Sequence, residues 1–156
     1  MPGEFYIQGK KEKVDISGIL AGINDIKSMA GDIESQTDRL AGETPLTGST
    51  TADWEAGEAD VVSVGADGSR YKVHDLTLSI HNLAGTAITV RLYKKVNGVE
   101  RKCYEQTFDA TAEPPGLPVV NGTWGIHGAL RVTLQSNNAA DNGKAVDYDC
   151  MLEAMS

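Results

Sequence analysis

The sequence lacks the features that mark most enzymes, membrane proteins and nucleic-acid-binding proteins. Its apolar runs fall short of the roughly 18 residues that a membrane-spanning helix needs. Only 14 residues are lysine or arginine against 22 acidic ones, whereas neutralising nucleic-acid phosphates requires clustered bases. The motifs H-E-x-x-H, G-x-S-x-G and G-x-x-x-x-G-K-[ST] are absent. We therefore expect a protein that is not an enzyme and that uses no cofactor, nucleic acid or membrane.

Cysteine is scarce, with Cys103 and Cys150 as the two members and no C-x-x-C pair. Thiols in a chain without an export signal are usually buried as small apolar side chains, and a zinc site needs closer spacing. The sequence leaves open whether the two thiols pair. The N-terminal lysines follow a short apolar patch, which is the wrong order for a secretory signal, so we expect synthesis in the cytoplasm.

The candidate ligand residues are histidines and carboxylates. His74 and His81 lie seven positions apart in one predicted strand, and this odd offset places them on opposite faces. His74 falls on the apolar face, where we expect a core or interface imidazole and no metal. Asp147 and Asp149 share a face, as a calcium or sugar site would require, but the interpretation we favour is a solvated face of an edge strand.

The most specific signal in the chain is a heptad repeat. Steps of three and four residues connect an apolar series of eight, which is Ile16, Ile19, Ile23, Ile26, Ala30, Ile33, Thr37 and Leu40. Asp15 suits the N-cap of this helix and Gly42 its C-terminal stop. Isoleucine at both a and d positions favours trimers or tetramers, so these eight residues form the predicted trimer interface of a coiled coil. The alternative is an amphipathic helix that packs on its own domain.

The C-terminal part of the chain reads as short strands with frequent turns and no second helix. Alternation of apolar and polar residues predicts strands at 71–82, 87–95, 99–108, 128–136 and 145–155, with shorter candidates at 60–64 and 117–120. This pattern predicts a mainly β fold, an antiparallel β-sandwich like a jelly roll.

The dipeptide Asn97-Gly98 predicts a hairpin between two of these strands. A two-residue loop would place Lys94 opposite Arg101, and like charges directly opposite destabilise a sheet. A three-residue loop, with Gly98 in the left-handed conformation, would place Lys94 opposite Glu100 instead. We therefore predict the three-residue loop.

Charge and composition divide the chain into four segments. Residues 1–14 form a short basic arm, and residues 15–42 form the helix. Residues 43–59 are acidic and rich in Gly, Thr, Ser and Pro without periodicity, which indicates a polar linker or surface strap that Trp54 anchors to the domain beyond it. Residues 60–156 form the predicted sandwich domain.

This layout resembles the small accessory proteins of tailed-bacteriophage virions, in particular head decoration (cement) proteins and head fibres. The stretches GIHGALRVTLQSNN and AVDYDCMLEAM look like strand sequences of phage structural proteins. The resemblance implies a homotrimer on the capsid surface that binds the major capsid protein through its arm. The implied attachment residues are apolar anchors and lysines that would face an acidic capsid, namely Phe5, Tyr6, Ile7, Lys10, Lys11 and Lys13.

The sequence is compatible with three classes of function. A structural virion protein, for which the trimer and the arm are the function, is the first. The second is a tail or fibre module whose loops bind a host surface glycan, for which Trp124 in NGTWGIHG is the candidate loop aromatic. The third, an enzyme, has no motif to support it.

Overall fold

The structure, a computed structural model, describes residues 4–7, 10–40 and 42–155, with side chains described over residues 16–35 and 42–155. The chain divides into two compact units, Met1–Ala41 and Gly42–Ser156.

The N-terminal unit contains a β-hairpin followed by a helix. Strands β1 (Glu4–Ile7) and β2 (Lys10–Asp15) pair antiparallel, and helix α1 (Ser17–Leu40) follows. The predicted helix is confirmed, but Asp15 is the last residue of β2 and not its N-cap. Residues 1–14, predicted as an arm without a regular element, therefore contribute both strands of a small sheet.

The described residues 42–155 form eight strands in two antiparallel sheets. The strands are β3 (Glu43–Thr51), β4 (Ala59–Val64), β5 (Arg70–Ser79), β6 (Ile88–Val96), β7 (Val99–Phe108), β8 (Gly116–Ile126), β9 (Leu130–Gln135) and β10 (Ala145–Met155). The first sheet has the order β3-β10-β5-β8 and the second the order β4-β9-β6-β7. Within this unit the first strand, β3, thus pairs with the last, β10, and every connection except that between β6 and β7 crosses from one sheet to the other. This is the two-sheet, eight-strand arrangement of a jelly roll.

Side-chain alternation explains the core of this unit. Strands in the middle of each sheet turn one face toward the other sheet, and the buried apolar side chains of both sheets form one cluster, as in a β-sandwich. In the second sheet these include Ile88, Val90, Leu92, Leu130, Val132 and Leu134. Trp54, the predicted anchor, is fully buried, and its indole Nε1–H donates to the carbonyl oxygen of Lys144 at 2.8 Å.

The segment predicted as a linker is partly a strand. Residues 43–51 form β3, an edge strand paired with β10 along its whole length, from Glu43 opposite Glu153 to Thr51 opposite Ala145. Its side chains are mostly exposed, and its hydrogen bonds to β10 are made by backbone groups, which do not depend on side-chain type except at proline. Polar composition therefore did not reveal it.

The hairpin between β6 and β7 has a two-residue loop, so the three-residue prediction is wrong. Asn97 and Gly98 have φ angles of 50° and 76°, and two left-handed residues make the type I′ turn whose twist matches that of the strands. Lys94 does lie opposite Arg101. The repulsion is relieved because Lys94 Nζ donates to the carbonyl oxygen of Gly125 at 2.8 Å.

The C-terminal unit has two distinct ends. The longer connections lie at what we term the loop end, which comprises residues 52–58, 80–87, 109–115 and 136–144. The opposite end, the turn end, comprises the turns 65–69, 97–98 and 127–129, together with the start of β3 and the finish of β10.

Candidate functional site

Helix α1 carries an exposed apolar stripe at the predicted a and d positions. Ile19, Ile23, Ile26 and Ile33 are between 44% and 67% exposed. Leu20 and Met29 extend the exposed apolar surface beside them, while Ile16 is half-buried and Ala30 exposed. The side chains of Thr37 and Leu40 lie outside the described residues. A contiguous apolar stripe of this kind marks an interaction surface in a soluble protein.

The predicted attachment residues belong to the N-terminal hairpin. Phe5, Tyr6 and Ile7 lie in β1, whereas Lys10, Lys11 and Lys13 lie in β2. Their side chains are outside the described residues, so the attachment role stays a prediction. The backbone pairing brings the two groups onto neighbouring strands.

The loops of the loop end are braced by one buried carboxylate. Asp141 accepts hydrogen bonds from the backbone N–H groups of Ala84 at 2.8 Å and Gly85 at 3.0 Å, and from the Ser136 hydroxyl at 2.5 Å. The backbone N–H of Ser136 in turn donates to the carbonyl oxygen of Trp54 at 2.9 Å. Three of the four connections are therefore held in fixed positions.

The outer face of the second sheet is a network of paired charges. The Arg131 guanidinium contacts Glu100 through Nε at 3.0 Å and Nη2 at 2.8 Å, and Asp60 through Nη1 at 2.6 Å. Its hydrogen bonds hold the pKa of the Glu100 carboxyl below the usual value. The Arg131 guanidinium also stacks over the ring of Tyr93, 4.4 Å from its centroid. Because these charges satisfy one another, this face resembles a solvated surface more than a ligand site.

Asp147 and Asp149 lie on the outer face of the first sheet, as predicted, but β10 is an interior strand and not an edge strand. They line a shallow depression together with Thr47, Thr77 and Ser79. Carboxylates can accept hydrogen bonds from the hydroxyl groups of a sugar, and neighbouring threonine and serine hydroxyls can donate to its oxygens.

A second polar cluster occupies the same sheet at the turn end. Imidazole Nε2 of His74 lies 2.9 Å from Oε2 of Glu153 and 3.9 Å from Oε1 of Glu43. Nδ1 of His74 is hydrogen-bonded to Oγ1 of Thr123 at 3.1 Å. Lys72 Nζ donates to Oε1 of Glu153 at 2.8 Å, and these hydrogen bonds from Lys72 and His74 lower the pKa of Glu153. Neighbouring strands β3, β10, β5 and β8 each contribute one or two residues.

The position of His74 corrects the prediction that it faces the core. Val73 is opposite Leu152 of β10 and Asp75 is opposite Met151, so β5 has one extra residue at this point. This β-bulge turns His74 outward, because an inserted residue shifts the alternation of faces. His81, whose Nδ1 contacts the Ser79 hydroxyl at 2.9 Å, lies beyond the other end of β5, so distance along the strand separates the two histidines. Strict alternation contained no signal for the bulge.

The two cysteines are both free thiols. Cys150 is buried in the core, and burial raises the pKa of its thiol to about 11. Cys103 lies on the edge strand β7 of the other sheet, where partial desolvation of its sulfur raises the pKa of the thiol although the residue as a whole is exposed. The core position predicted for such thiols is thus confirmed for Cys150, whereas Cys103 is exposed. Thiols held protonated in this way are poor nucleophiles and poor metal ligands.

Trp124 lies in strand β8 and packs partly buried against the core, not in a loop as predicted. A platform for sugar stacking needs an exposed ring face, which this packing partly covers.

Comparisons with known proteins add little to these observations. Within the described residues, no helix is both long enough and apolar enough to cross a membrane. No protein-family model matches the sequence, and no curated protein matches it. One solved structure, from work on Bacillus endospore appendages described as a family of disulfide-linked pili, is similar at 13% identity over 73% of this chain and 88% of that chain. Its TM-score of 0.42 transfers no property to this chain.

Proposed function

We propose that this protein is a non-enzymatic structural protein, a homotrimer that decorates and stabilises a tailed-bacteriophage capsid. The observation that supports the proposal is the exposed isoleucine stripe of α1. A helix that exposes four isoleucines in heptad spacing gains stability when other copies cover them.

The size of this gain is consistent with self-assembly. Full burial of an isoleucine side chain contributes about 1.5–3 kcal/mol. Scaling by the exposed fractions of Ile19, Ile23, Ile26 and Ile33 gives an upper value of about 4–7 kcal/mol per chain. Association of proteins costs at least about 4 kcal/mol in lost translational and rotational freedom. The assembly should therefore be stable but dependent on concentration.

Composition supports three copies over two. Ile16, Ile19, Ile23 and Ile26 fill successive a and d positions, and isoleucine at both positions disfavours the parallel dimer. Gly18, Gly22 and Gly31 lie off the a and d positions, and each weakens an isolated helix by about 1 kcal/mol relative to alanine. The helix therefore depends on its partners.

The attachment role is proposed for the hairpin β1–β2. It carries three large apolar residues and three lysines in its two strands, a composition that suits an acidic surface with an apolar depression. The sandwich supports this assignment indirectly, because the charges on the outer face of its second sheet are paired with one another.

The test of this proposal compares particles made with and without the protein. A ligand that binds the assembled lattice alone stabilises it by about 2.7 kcal/mol per site at a free concentration of 100 times Kd. Particles that lack the protein should therefore release their genome at a lower temperature while adsorbing to host cells normally. Deletion of residues 1–13 should leave a folded trimer that no longer co-sediments with capsids. Capsid binding by the truncated protein would contradict the attachment assignment.

An alternative function is a trimeric tail or fibre module that binds a host surface glycan. The observation that favours it is the depression lined by Asp147, Asp149, Thr47, Thr77 and Ser79. Under this alternative, particles lacking the protein keep their thermal stability and fail to adsorb. Asp149→Asn in the virion separates the two, since it should leave adsorption unchanged for a decoration protein.

A further inference from the structure

We propose that Glu43, His74 and Glu153 form a binding site for a divalent transition-metal ion, and that Zn²⁺ is the ion that suits this ligand set. The three candidate ligand atoms lie within 4.8 Å of one another. They come from three adjacent strands, β3, β5 and β10, so the sheet backbone fixes their spacing.

The distances fit a small coordination sphere. Nitrogen and oxygen ligands lie 2.0–2.2 Å from zinc, so tetrahedral neighbours are about 3.3–3.6 Å apart. Nε2 of His74 is 2.9 Å from Glu153 Oε2 and 3.9 Å from Glu43 Oε1, values on either side of that range. A change of less than an ångström in each of these two distances, at side chains that are 18–60% exposed, would bring both into that range. Water would complete the coordination, as in three-ligand zinc sites.

The surrounding residues already hold these ligands as metal sites do. Metal-binding histidines almost always make a second hydrogen bond through the other ring nitrogen, which fixes the tautomer. In the tautomer that a metal requires, Nδ1–H of His74 donates to Oγ1 of Thr123 at 3.1 Å, and the ion replaces the proton through which Nε2 otherwise donates to Oε2 of Glu153 at 2.9 Å. Lys72 binds Oε1 of Glu153 at 2.8 Å and leaves Oε2 directed toward the imidazole.

The β-bulge in β5 also supports the proposed metal site, independently of the distances between the ligand atoms. Without the bulge, strict alternation would place His74 on the core face together with Leu76 and Leu78. The extra residue places it instead beside the two carboxylates, and bulges often serve to redirect a side chain at a functional position.

The ligand chemistry distinguishes zinc from the alkaline-earth ions. Ca²⁺ takes six to eight oxygen ligands and Mg²⁺ prefers octahedral oxygen coordination. Imidazole with two carboxylates suits zinc and related first-row ions. An ion bound here would join the first residue of the edge strand β3 to two interior strands.

The experiment is titration of the metal-free, tag-free full chain with ZnCl₂ by calorimetry, together with thermal unfolding. We expect saturable binding of one ion per chain, a raised Tm, and no competition from Ca²⁺ or Mg²⁺ at equal concentration. His74→Gln and Glu43→Gln should each remove the Tm shift, and Thr123→Val should weaken binding by about 10- to 100-fold. His81→Gln is the matched control, because His81 is exposed and, among the residues whose side chains are described, has one carboxylate within ion-pair distance, that of Asp147 at 3.9 Å.

Absence of saturable Zn²⁺ binding would overturn the proposal. Equal loss of binding in His81→Gln and His74→Gln would overturn it too, because zinc binding would then not depend specifically on the cluster of Glu43, His74 and Glu153. If His74→Gln fails to fold by circular dichroism, Glu43→Gln decides, since Glu43 lies on an exposed edge strand. Unchanged affinity in that variant refutes the site. None of these results depends on capsid binding.

Discussion

Replacing Ile23 and Ile26 with asparagine should dissociate the proposed trimer. These side chains are 44% and 67% exposed in the single chain, so their burial in an assembly contributes about 2–3 kcal/mol per chain and about 5–10 kcal/mol per trimer. Because about 1.4 kcal/mol corresponds to a factor of ten, the association constant should fall by roughly a thousandfold or more. Asparagine amides buried in the apolar interface add to the loss.

The matched control is the double variant Ala21→Asn and Ser28→Asn. Both residues occupy the f position of the heptad, on the helix face opposite the isoleucines. The control introduces the same two asparagines into the same helix, so it reports the helix-propensity cost alone. Sedimentation equilibrium over a range of concentrations measures the mass, and circular dichroism checks that each variant folds. A wild-type chain that stays monomeric at every concentration, or two variants that dissociate alike, would refute the reasoning.

Three further predictions concern the sandwich. A Cβ at Gly85 would overlap Oγ of Ser136, so Gly85→Ala should destabilise the fold by about 1–3 kcal/mol in urea unfolding; the cost should be smaller in a Ser136→Ala background, giving a coupling energy of at least about 0.5 kcal/mol. The hydrogen bonds of Arg131 lower the pKa of Glu100, so the stabilisation from this carboxylate is present above its unfolded pKa and is lost as pH falls from about 4.5 through the lowered value. Thermal unfolding between about pH 7 and pH 3 should therefore show a smaller loss of stability for Glu100→Gln than for the wild type. Trp54→Phe leaves a carbonyl oxygen without its indole donor and should cost at least about 1 kcal/mol in chemical denaturation, and an unchanged midpoint would contradict this.

The sequence predicted the elements that bury an apolar face. In the interior strands β5, β6, β9 and β10, apolar and polar residues largely alternate in the sequence. They do so because one side of each strand packs against the core and therefore needs apolar residues. Helix α1 was predicted for a related reason, since its isoleucines repeat at heptad spacing. In both cases a hydrophobic face repeats with the period of the element.

Elements that depend on backbone pairing were not predictable. β3 was missed because its side chains are polar on both faces and Leu46 is its half-buried aliphatic residue. Its stability comes from hydrogen bonds to β10, which any sequence without too many prolines can make. Edge strands therefore need knowledge of their partners.

The hairpin error shows a different difficulty, the weighing of two opposed local effects. The three-residue prediction follows from the like charges of Lys94 and Arg101, whereas the observed loop follows the turn preference of Asn97-Gly98. Exposed charges can rotate toward other partners, as Lys94 does toward Gly125, whereas a turn type is set by the backbone. Backbone geometry should take precedence in such cases.

The candidate metal ligands were missed because a single inserted residue changes which face a side chain occupies. His74 was predicted to lie with Leu76 and Leu78, and alternation is correct for those two residues. The bulge is an outcome of three-strand pairing, opposite Met151 and Leu152, and is not written in the local sequence. Glu43 and Glu153 are 110 positions apart and meet through β-pairing alone.

The two ends of the C-terminal unit have a consequence for protein engineering. Glu43 and Glu153 are directly opposite, which places their Cα atoms about 5 Å apart, so a short linker could join the two ends of this unit in a variant that begins at Glu43. New termini opened within residues 109–115 would leave every strand pair intact, giving a circular permutant with the original core. The same segment could accept an inserted peptide, which would project from the loop end, opposite the start of β3 and the finish of β10.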